Sequence, residues 1–295
     1  MIRNAILSLL SAVVVGTSAP NSVPPAPVPP STGFANLVGF SGKLRSIFLF
    51  PEDAARLKDA GALSGEPGIY SLVPAAGLTG RLSVFILEPF SAEVGGRIGS
   101  YEMGTWPDPS RAPKDPSYAL PRGFIRVDKA SDGVAVSEHF KVGEFLTKDQ
   151  PAVWPKYLVL DARLLDKLEL TISQLNAMGY PVKNLFVMSG FRTPRYNGLD
   201  LGPKSRSAVS RHMYGDAADV YPDDDHDGKM DDLNHDGKVD EADAQIVFRA
   251  AEEVEKRFPV LVGGIAIYRA TSAHGPFVHI DCRGKRARWG VGFGE

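Results

Sequence analysis

Three short segments in the second half of the chain concentrate residues that could do chemistry. They read SGFRTPRYN (residues 189–197), SRHMYGDAAD (210–219) and HGPFVHID (274–281). The chain of 295 residues contains a single cysteine, so a metal site in it must be built from histidines and carboxylates. Two imidazoles and one carboxylate are a ligand set of catalytic zinc, which keeps water in its fourth position. Zinc lowers the pKa of that water to about 7 and so supplies a nucleophile at neutral pH.

Strand alternation predicts where the side chains of the third segment lie. Val278 and Ile280 share an apolar face that we expect to pack on the core. His279 and Asp281 then lie on the opposite face, above the sheet. We therefore expect Asp281 to accept a hydrogen bond from the imidazole of His279 and to orient it.

The second segment brings another histidine and carboxylate towards one point. Gly215 breaks the segment into a turn, and a strand begins near Ala217. His212 and Asp219 flank this turn and can converge. An ordinary structural hydrogen bond between a histidine and a carboxylate is the alternative, and spacing alone does not exclude it.

The elements that must position these residues are short. Apolar spacing predicts amphipathic helices over residues 161–178 and 245–257. Short apolar runs predict four strands, over residues 185–189, 217–221, 265–269 and 277–282. The expected fold class is α+β, in which a small antiparallel sheet packs with helices to form a domain over residues 134–295.

Residues 33–133 are rich in glycine and proline and predict a separate β-rich N-terminal domain. Its candidate elements are strands over residues 68–73, 82–88 and 124–127 and one short helix within 46–58. This region contains no recognisable chemical constellation, and its role stays open.

The N-terminus predicts export from the cytoplasm. Residues 1–19 have the layout of a signal peptide, with Arg3, an apolar run and a small-residue exit. Six of the eleven residues 20–30 are prolines, which predicts an extended linker over residues 20–32. We expect a secreted or periplasmic protein without a stable membrane span, or an N-terminally anchored one if the signal segment is retained.

Residues 223–243 form an acidic insertion. They carry ten acids and two lysines, a local charge of −8 in a chain of net −2, which leaves +6 elsewhere. Two overlapping twelve-residue patterns match the calcium loop of EF-hands and dockerins. The first uses Asp223, Asp225, Asp227, Asp231 and Asn234. The second uses Asp232, Asn234, Asp236, Asp240 and Asp243. Neither has glutamate at position twelve, so we expect modest affinity; the alternative is a solvated acidic loop.

In combination, these motifs resemble the zinc D-Ala-D-Ala metallopeptidases, which include D,D-carboxypeptidases, vancomycin-resistance D,D-peptidases and murein endopeptidases. The pattern Ser-x-His-x-x-Gly-x-Ala-x-Asp runs from Ser210 to Asp219, and the His-x-Asp strand follows later in the chain. SGFRTPRYN and the closing RARWG (286–290) match in the expected order. The resemblance covers residues 138–295.

The resemblance implies that His212, Asp219 and His279 are the zinc ligands. It implies that Arg192 holds the substrate carbonyl or carboxylate and stabilises developing negative charge, a role that suits a guanidinium. Ser210 belongs to the same motif, and we expect it, like Asp281, to support the ligands from behind.

The general base is left open by the motifs. Pro276 stands where many relatives have a glutamate, three residues before the last ligand. His274 matches the histidine that another branch has five residues before that ligand. This match implies that His274 stabilises the transition state or shuttles a proton.

The resemblance implies a zinc peptidase that hydrolyses peptidoglycan stem peptides, as a carboxypeptidase or an endopeptidase. Two other functions stay open: a non-catalytic, zinc-containing cell-wall binding module, and a calcium-dependent adhesion or docking protein. The basic remainder of the chain suits an anionic wall polymer, and the near-neutral total gives no reason to expect nucleic acid. We expect a monomer with zinc and calcium as cofactors.

Overall fold

The computed structural model describes residues 44–50, 66–72, 81–108, 114–198 and 207–293. The predicted signal peptide (1–19) and proline-rich linker (20–32) lie outside the described residues. The described chain mixes α-helices with several small β-sheets, in agreement with the coarse prediction of helices and small sheets.

Eight short strands form the first half of the fold. They are β1 (Leu44–Leu49), β2 (Gly68–Leu72), β3 (Arg81–Ile86), β4 (Glu88–Pro89), β5 (Arg97–Ile98), β6 (Tyr101–Glu102), β7 (Gly123–Val127) and β8 (Lys156–Leu158). One sheet has the order β1-β3-β2, with β1 parallel to β3, and a second has the order β4-β7-β8. Strands β5 and β6 pair as a hairpin.

The helix predicted within residues 46–58 is wrong over its first four residues. Residues 46–49 belong to β1, and residues 51–65 lie outside the described residues. Phe48 stacks on Phe85 of β3, with ring centroids 5.1 Å apart. Cross-strand packing of aromatic and β-branched side chains stabilises a strand here, because such residues fit a pleated surface better than a helix.

Three α-helices are described: α1 (Ala162–Ala177), α2 (Pro194–Asn197) and α3 (Glu241–Arg257). Helix α1 begins after Asp161, whose carboxylate accepts from the backbone N–H of Arg163 at 2.9 Å. Helix α3 starts four residues earlier than predicted, because Asp240 and Asp243 form a capping box at its first turn. None of the described helices has the length and apolarity that crossing a membrane requires.

A five-stranded sheet carries the three candidate segments. It is built from β9 (Leu185–Ser189), β10 (Ala217–Pro222), β11 (Gly264–Tyr268), β12 (Phe277–Asp281) and β13 (Ala287–Gly290). Its order is β13-β11-β12-β10-β9; all neighbours are antiparallel except β11 and β13, which run parallel. Val278 and Ile280 are buried in the hydrophobic core, as strand alternation predicts.

One hydrophobic cluster extends through both halves of the described chain, from Phe48 and Phe85 to Val278 and Ile280. The predicted domain boundary near residue 133 stays a prediction. The first half also contacts the segments that carry the candidate site. The indole of Trp106 donates to the carbonyl of Met213 at 3.1 Å, beside His212.

A glycine makes possible a second contact between the first half of the chain and the segments that carry the candidate site. Arg195 in α2 donates its backbone N–H to the carbonyl of Met103 at 3.0 Å. The neighbouring Gly104 has φ of +76°, and a Cβ there would lie 2.3 Å from the backbone nitrogen of Arg195. Only glycine allows the two backbones to approach this closely. The N-terminal half therefore supports the segment that follows β9.

We predict that Asp166 makes the stability of the fold pH-dependent. Burial on α1, together with Asp161 and Glu169, raises the pKa of Asp166 to about 7. An unfolded aspartate titrates near 4, so folding stability falls as the pH rises from about 4 to about 7. Asp166→Asn should raise the Tm at pH 8 by about 2–4 °C and leave it nearly unchanged at pH 4.

Thermal unfolding followed by circular dichroism at both pH values checks this prediction. The exposed Asp128 supplies a matched control, Asp128→Asn, that should show no such pH-dependent gain. Equal Tm changes for Asp166→Asn at pH 4 and pH 8 would contradict it.

Candidate metal centre

The register of the five-stranded sheet places the key residues in one row. Asp219 of β10 lies opposite His279 of β12 and, on its other side, opposite Ser189 of β9. His279 pairs in turn with Ala266 of β11, which pairs with Trp289 of β13. Directly opposite residues point to the same face of a sheet. The row therefore presents its side chains on one surface, where the small Ala266 separates Trp289 from His279.

His212 reaches this row from a tight turn. Residues Arg211–Tyr214 form a single 3-10 turn that ends at Gly215, whose φ is +73°. A Cβ on Gly215 would lie 2.4 Å from the carbonyl carbon of Val159, so no larger residue fits here. The glycine allows the chain to turn directly into β10.

A buried ion pair holds this turn closed. Nη2 of Arg211 lies 2.5 Å from Oδ2 of Asp216, and both side chains are almost fully buried. Arg211 also donates to the carbonyl of Ser117 at 2.8 Å. These contacts join the turn to the N-terminal half and set the position of His212.

The three predicted zinc ligands come together. Nε2 of His212 lies 3.2 Å from Nδ1 of His279, which lies 2.9 Å from Oδ1 of Asp219. The third separation, from His212 Nε2 to Asp219 Oδ1, is 3.3 Å. A tetrahedral zinc ion with bonds of about 2.0–2.1 Å holds its ligand atoms about 3.3 Å apart. The three residues are 2%, 3% and 6% exposed for His212, Asp219 and His279, respectively.

Hydrogen bonds behind the imidazoles determine which nitrogen of each faces the cluster. Nδ1 of His212 lies 2.7 Å from the carbonyl oxygen of Gly190, and a carbonyl can only accept, so this nitrogen carries the proton. Nε2 of His279 lies 3.1 Å from Oδ2 of Asp281 and donates to it for the same reason. In their neutral forms both imidazoles therefore turn a lone pair towards the cluster, as Oδ1 of Asp219 does. These three atoms could hold one metal ion, and the donor set fits it.

The electrostatics of the cluster favour ligand-competent forms of two of these residues. Burial lowers the pKa of His212, which keeps its imidazole neutral. Burial opposes ionisation of Asp219, yet His212, His279 and Arg192 hold the pKa of Asp219 well below its usual range. Burial likewise opposes protonation of His279, but its contacts with Asp219 and Asp281 raise the pKa of His279. This accumulated negative charge around His279 is what a divalent cation would neutralise.

Arg192 lies against the candidate metal ligands, and its position explains part of their geometry. Its Nη2 is 2.5 Å from Oδ2 of Asp219, and its Nε donates to Oγ of Ser189 at 2.8 Å. Its backbone N–H donates to the carbonyl of His212 at 3.1 Å. The guanidinium donates to Oδ2 of Asp219, and this leaves Oδ1 facing the imidazoles. Arg192 therefore orients a ligand as well as adding positive charge beside the site.

Asp281 occupies the supporting position that strand alternation predicts. Besides His279, its carboxylate accepts from the backbone N–H of Gly264 at 2.7 Å and from Nη2 of Arg283 at 2.5 Å. A Cβ on Gly264 would lie 2.3 Å from Oδ2 of Asp281, so glycine is required at this position. The backbone carbonyl of Asp281 accepts a hydrogen bond from Nζ of the fully buried Lys167 at 2.7 Å. Asp281 is thus rigidly held and fixes the ring of His279.

The supporting role of Ser210 and the role of His274 stay predictions. The carbonyl of Gly190 is the partner of His212 Nδ1. The imidazole of His274 contacts the carbonyl of Gly275 at 2.8 Å and packs edge-on against Phe277, with ring centroids 5.0 Å apart. Neither of these two contacts of His274 is with a predicted zinc ligand.

Two aromatic residues join the site although their roles were not predicted. The ring of Trp289 lies 5.1 Å from that of His279, and its indole N–H donates to the hydroxyl of Tyr268 at 2.8 Å. Tyr268 stacks on Phe277 with ring centroids 4.7 Å apart and is 38% exposed. RARWG contains Trp289, but only the pairing of β13 with β11 shows that it reaches His279.

The acidic insertion contains a second group of potential metal ligands. Asp223, Asp225 and Asp227 each place a carboxylate oxygen within 4.8 Å of the others. In the second predicted loop, Asp240 accepts from the N–H of Ala242, and Asp243 accepts from three backbone N–H groups. These two carboxylates therefore cap the start of α3, and calcium binding by the second loop stays a prediction.

Comparison with known protein families, curated proteins and solved structures finds no match to this chain.

The metal centre can be tested by analysing metal content. We expect His212→Ala to abolish stoichiometric zinc binding because it removes one of three ligands. Asp281→Asn should lower zinc affinity by about 10–100-fold, because the ring of His279 loses its charged partner. Zinc competition with a fluorescent chelator measures both effects. Asp128→Asn serves as the control and should bind zinc like the wild type; wild-type affinity in His212→Ala would refute this assignment.

Proposed function

We propose that this chain is a zinc-dependent peptidase that hydrolyses peptidoglycan stem peptides at a D-Ala-linked bond. The observation that carries the proposal is the convergence of one potential ligand atom each from His212, Asp219 and His279 within 3.3 Å of one another. Two imidazoles and one carboxylate leave a metal coordination position open, as in catalytic rather than structural zinc sites. The substrate class is supported by the order of the motifs that resemble the D-Ala-D-Ala metallopeptidases.

A zinc ion held by these ligands would supply Lewis acidity and lower the pKa of a coordinated water to about 7. The chain's own residues supply orientation and charge. The carbonyl of Gly190 and the carboxylate of Asp281 hold the two imidazoles in their ligand tautomers. Because these partners lie on packed strands and turns, the donor atoms need little reorganisation during reaction.

Arg192 is the candidate for binding the substrate. Its side chain is mostly buried beside Asp219, where a guanidinium retains its charge. A substrate carboxylate or a developing oxyanion is the kind of group that such a fork binds. The stack of Tyr268 on Phe277 borders the same face of the sheet, two residues along the strands from His279. Together they provide a positive group and an apolar wall, which suit a short peptide that ends in small side chains.

The proposed activity is tested by digestion of defined substrates. Zinc-loaded protein should release D-Ala from D-Ala-D-Ala peptides or cleave cross-links in purified sacculi, as shown by chromatography of the products. His212→Ala should reduce the rate at least 10³-fold because it removes a ligand of the group that activates water. Binding to sacculi without product release would instead support a non-catalytic wall-binding module. Absence of both binding and cleavage would reject the peptidoglycan assignment.

We also predict a specific effect of Arg192→Lys. Lysine retains the charge but loses the fork that contacts both Asp219 and Ser189, so kcat/KM should fall by about 10²–10³-fold. Arg195→Lys, in the same segment but paired with Asp149, is the matched control and should stay within a few-fold of wild type. Zinc content is measured alongside kcat/KM, since a loss of zinc in Arg192→Lys would show that its main role is to orient Asp219.

A further inference from the structure

The first loop of the acidic insertion begins where β10 ends. Asp223 directly follows Pro222, the last residue of β10, and lies four residues after Asp219. The residues between them, Val220–Pro222, are buried in the five-stranded sheet. Any group that binds Asp223 therefore acts on the strand that carries a predicted zinc ligand.

Three carboxylates of this loop converge, and one of them is incompletely satisfied. Asp223, Asp225 and Asp227 bring carboxylate oxygens within 4.8 Å of one another. Asp223 is only 2% exposed. Its Oδ2 accepts from the backbone N–H of Gly228 at 3.2 Å, but its buried Oδ1 has no hydrogen-bond partner within the described chain. A buried carboxylate oxygen without a partner is strongly unfavourable unless a cation contacts it.

The loop is anchored so that these carboxylates stay together. Met230 and Leu233 are buried in the main hydrophobic core. The carboxylate of Asp224 accepts from the backbone N–H groups of Lys183 and Asn184, just before β9. Asp224 is therefore occupied in holding the loop to the sheet. The backbone N–H of Asp231 also donates to the carbonyl of Pro222 at 3.0 Å.

The charges around the group match a hard divalent cation. Its potential ligands are all oxygens, and calcium accepts six to eight oxygen ligands in flexible geometry. Within the described chain, Nζ of Lys229 is 3.5 Å from Oδ2 of Asp227, in an exposed pair. Such an exposed, singly charged contact is weak, and it leaves the buried Oδ1 of Asp223 without a partner.

We propose that Asp223, Asp225 and Asp227 bind a calcium ion, and that this ion fixes the C-terminal end of β10 and with it the position of Asp219. The site is separate from the cluster of His212, Asp219 and His279 and does not depend on the activity proposed for that cluster. The ion satisfies the orphaned oxygen of Asp223 and neutralises the repulsion among the three carboxylates. The hydroxyl of Tyr221, which donates to the carbonyl of Gly228 at 2.9 Å, ties the strand to the loop a second time.

Calorimetric titration of the chelator-stripped full chain with calcium chloride tests the binding. Asp225 and Asp227 are exposed, so the double variant Asp225→Asn/Asp227→Asn should fold normally. We expect this variant to bind one calcium ion fewer per chain than the wild type, whose affinity should be about 10⁻⁴ M. The control Asp128→Asn/Glu253→Gln removes two acidic charges outside the loop, at an exposed and a half-buried residue, and should bind as the wild type does.

This difference of one ion holds whether or not the second loop also binds calcium. Unchanged stoichiometry and affinity in the Asp225/Asp227 variant would overturn the proposal. Equal affinity of the wild type for magnesium and calcium would overturn the assignment to calcium, since magnesium demands near-ideal octahedral geometry. His212→Ala should retain full calcium binding, which separates this site from the zinc site.

Amide hydrogen exchange tests the effect on β10. Saturating calcium should slow exchange at Val220 and Tyr221 at least tenfold in the wild type and in the control, because the end of the strand opens less often. The Asp225/Asp227 variant should show no such change. Exchange at these two amides that does not respond to calcium in the wild type would overturn the claim that the ion fixes β10.

Discussion

The antiparallel pairing of β10 with β12 is the constraint on which the candidate metal centre depends. It sets Asp219 directly opposite His279, so that a carboxylate and an imidazole face each other on one surface of the sheet. The turn before β10 then delivers His212 to the same point. With both imidazoles neutral, these three side chains could hold one metal ion between them. The remaining contacts of the site either orient these acceptors or hold the strands that carry them.

Buried charges support this arrangement from behind. Lys167 of α1 donates to Glu255 of α3 at 2.6 Å and to the backbone carbonyl of Asp281, and Arg288 of β13 pairs with the same glutamate. Burying charged groups costs desolvation energy, and a hydrophobic replacement of such a group is often as stable. These contacts join α1, α3, β12 and β13 around Asp281, which orients His279. They therefore fix the positions of these elements. The N-terminal half contributes in the same way, through Trp106 and the close approach of Gly104 to α2.

Strand β10 links the two groups of potential metal ligands. Asp219 lies within the strand, and Asp223 lies just past its end. A strand paired on both sides transmits displacement along its length, because its backbone hydrogen bonds allow little independent movement of neighbouring residues. A cation bound by the acidic insertion could therefore stabilise the cluster of His212, Asp219 and His279 without contacting it. This insertion carries a local charge of −8 in a chain whose net charge is only −2.

Much of the candidate site could be predicted from local sequence. The spacing around Gly215 and the alternation in residues 277–282 make His212, Asp219, His279 and Asp281 candidates, and the family resemblance, rather than spacing, implies that the first three are ligands. Apolar periodicity predicts α1 and most of α3. These features depend on neighbours in the chain. By contrast, the capping role of Asp240 and Asp243 was missed because their spacing also matches a calcium loop, and folding decides which backbone N–H groups a carboxylate meets.

Sequence alone thus determined the types of donor atoms available and the local elements that carry them. Tertiary structure decided the strand register that aligns Trp289, Ala266, His279, Asp219 and Ser189 in one row. It also decided that Gly190 sets the tautomer of His212 and that Tyr268 and Trp289 border the site. The physical reason is that a strand's alternation is a property of its own residues, whereas its register with a partner depends on the packing of both faces. A shift of one residue between β10 and β12 would keep every motif intact and separate the ligands.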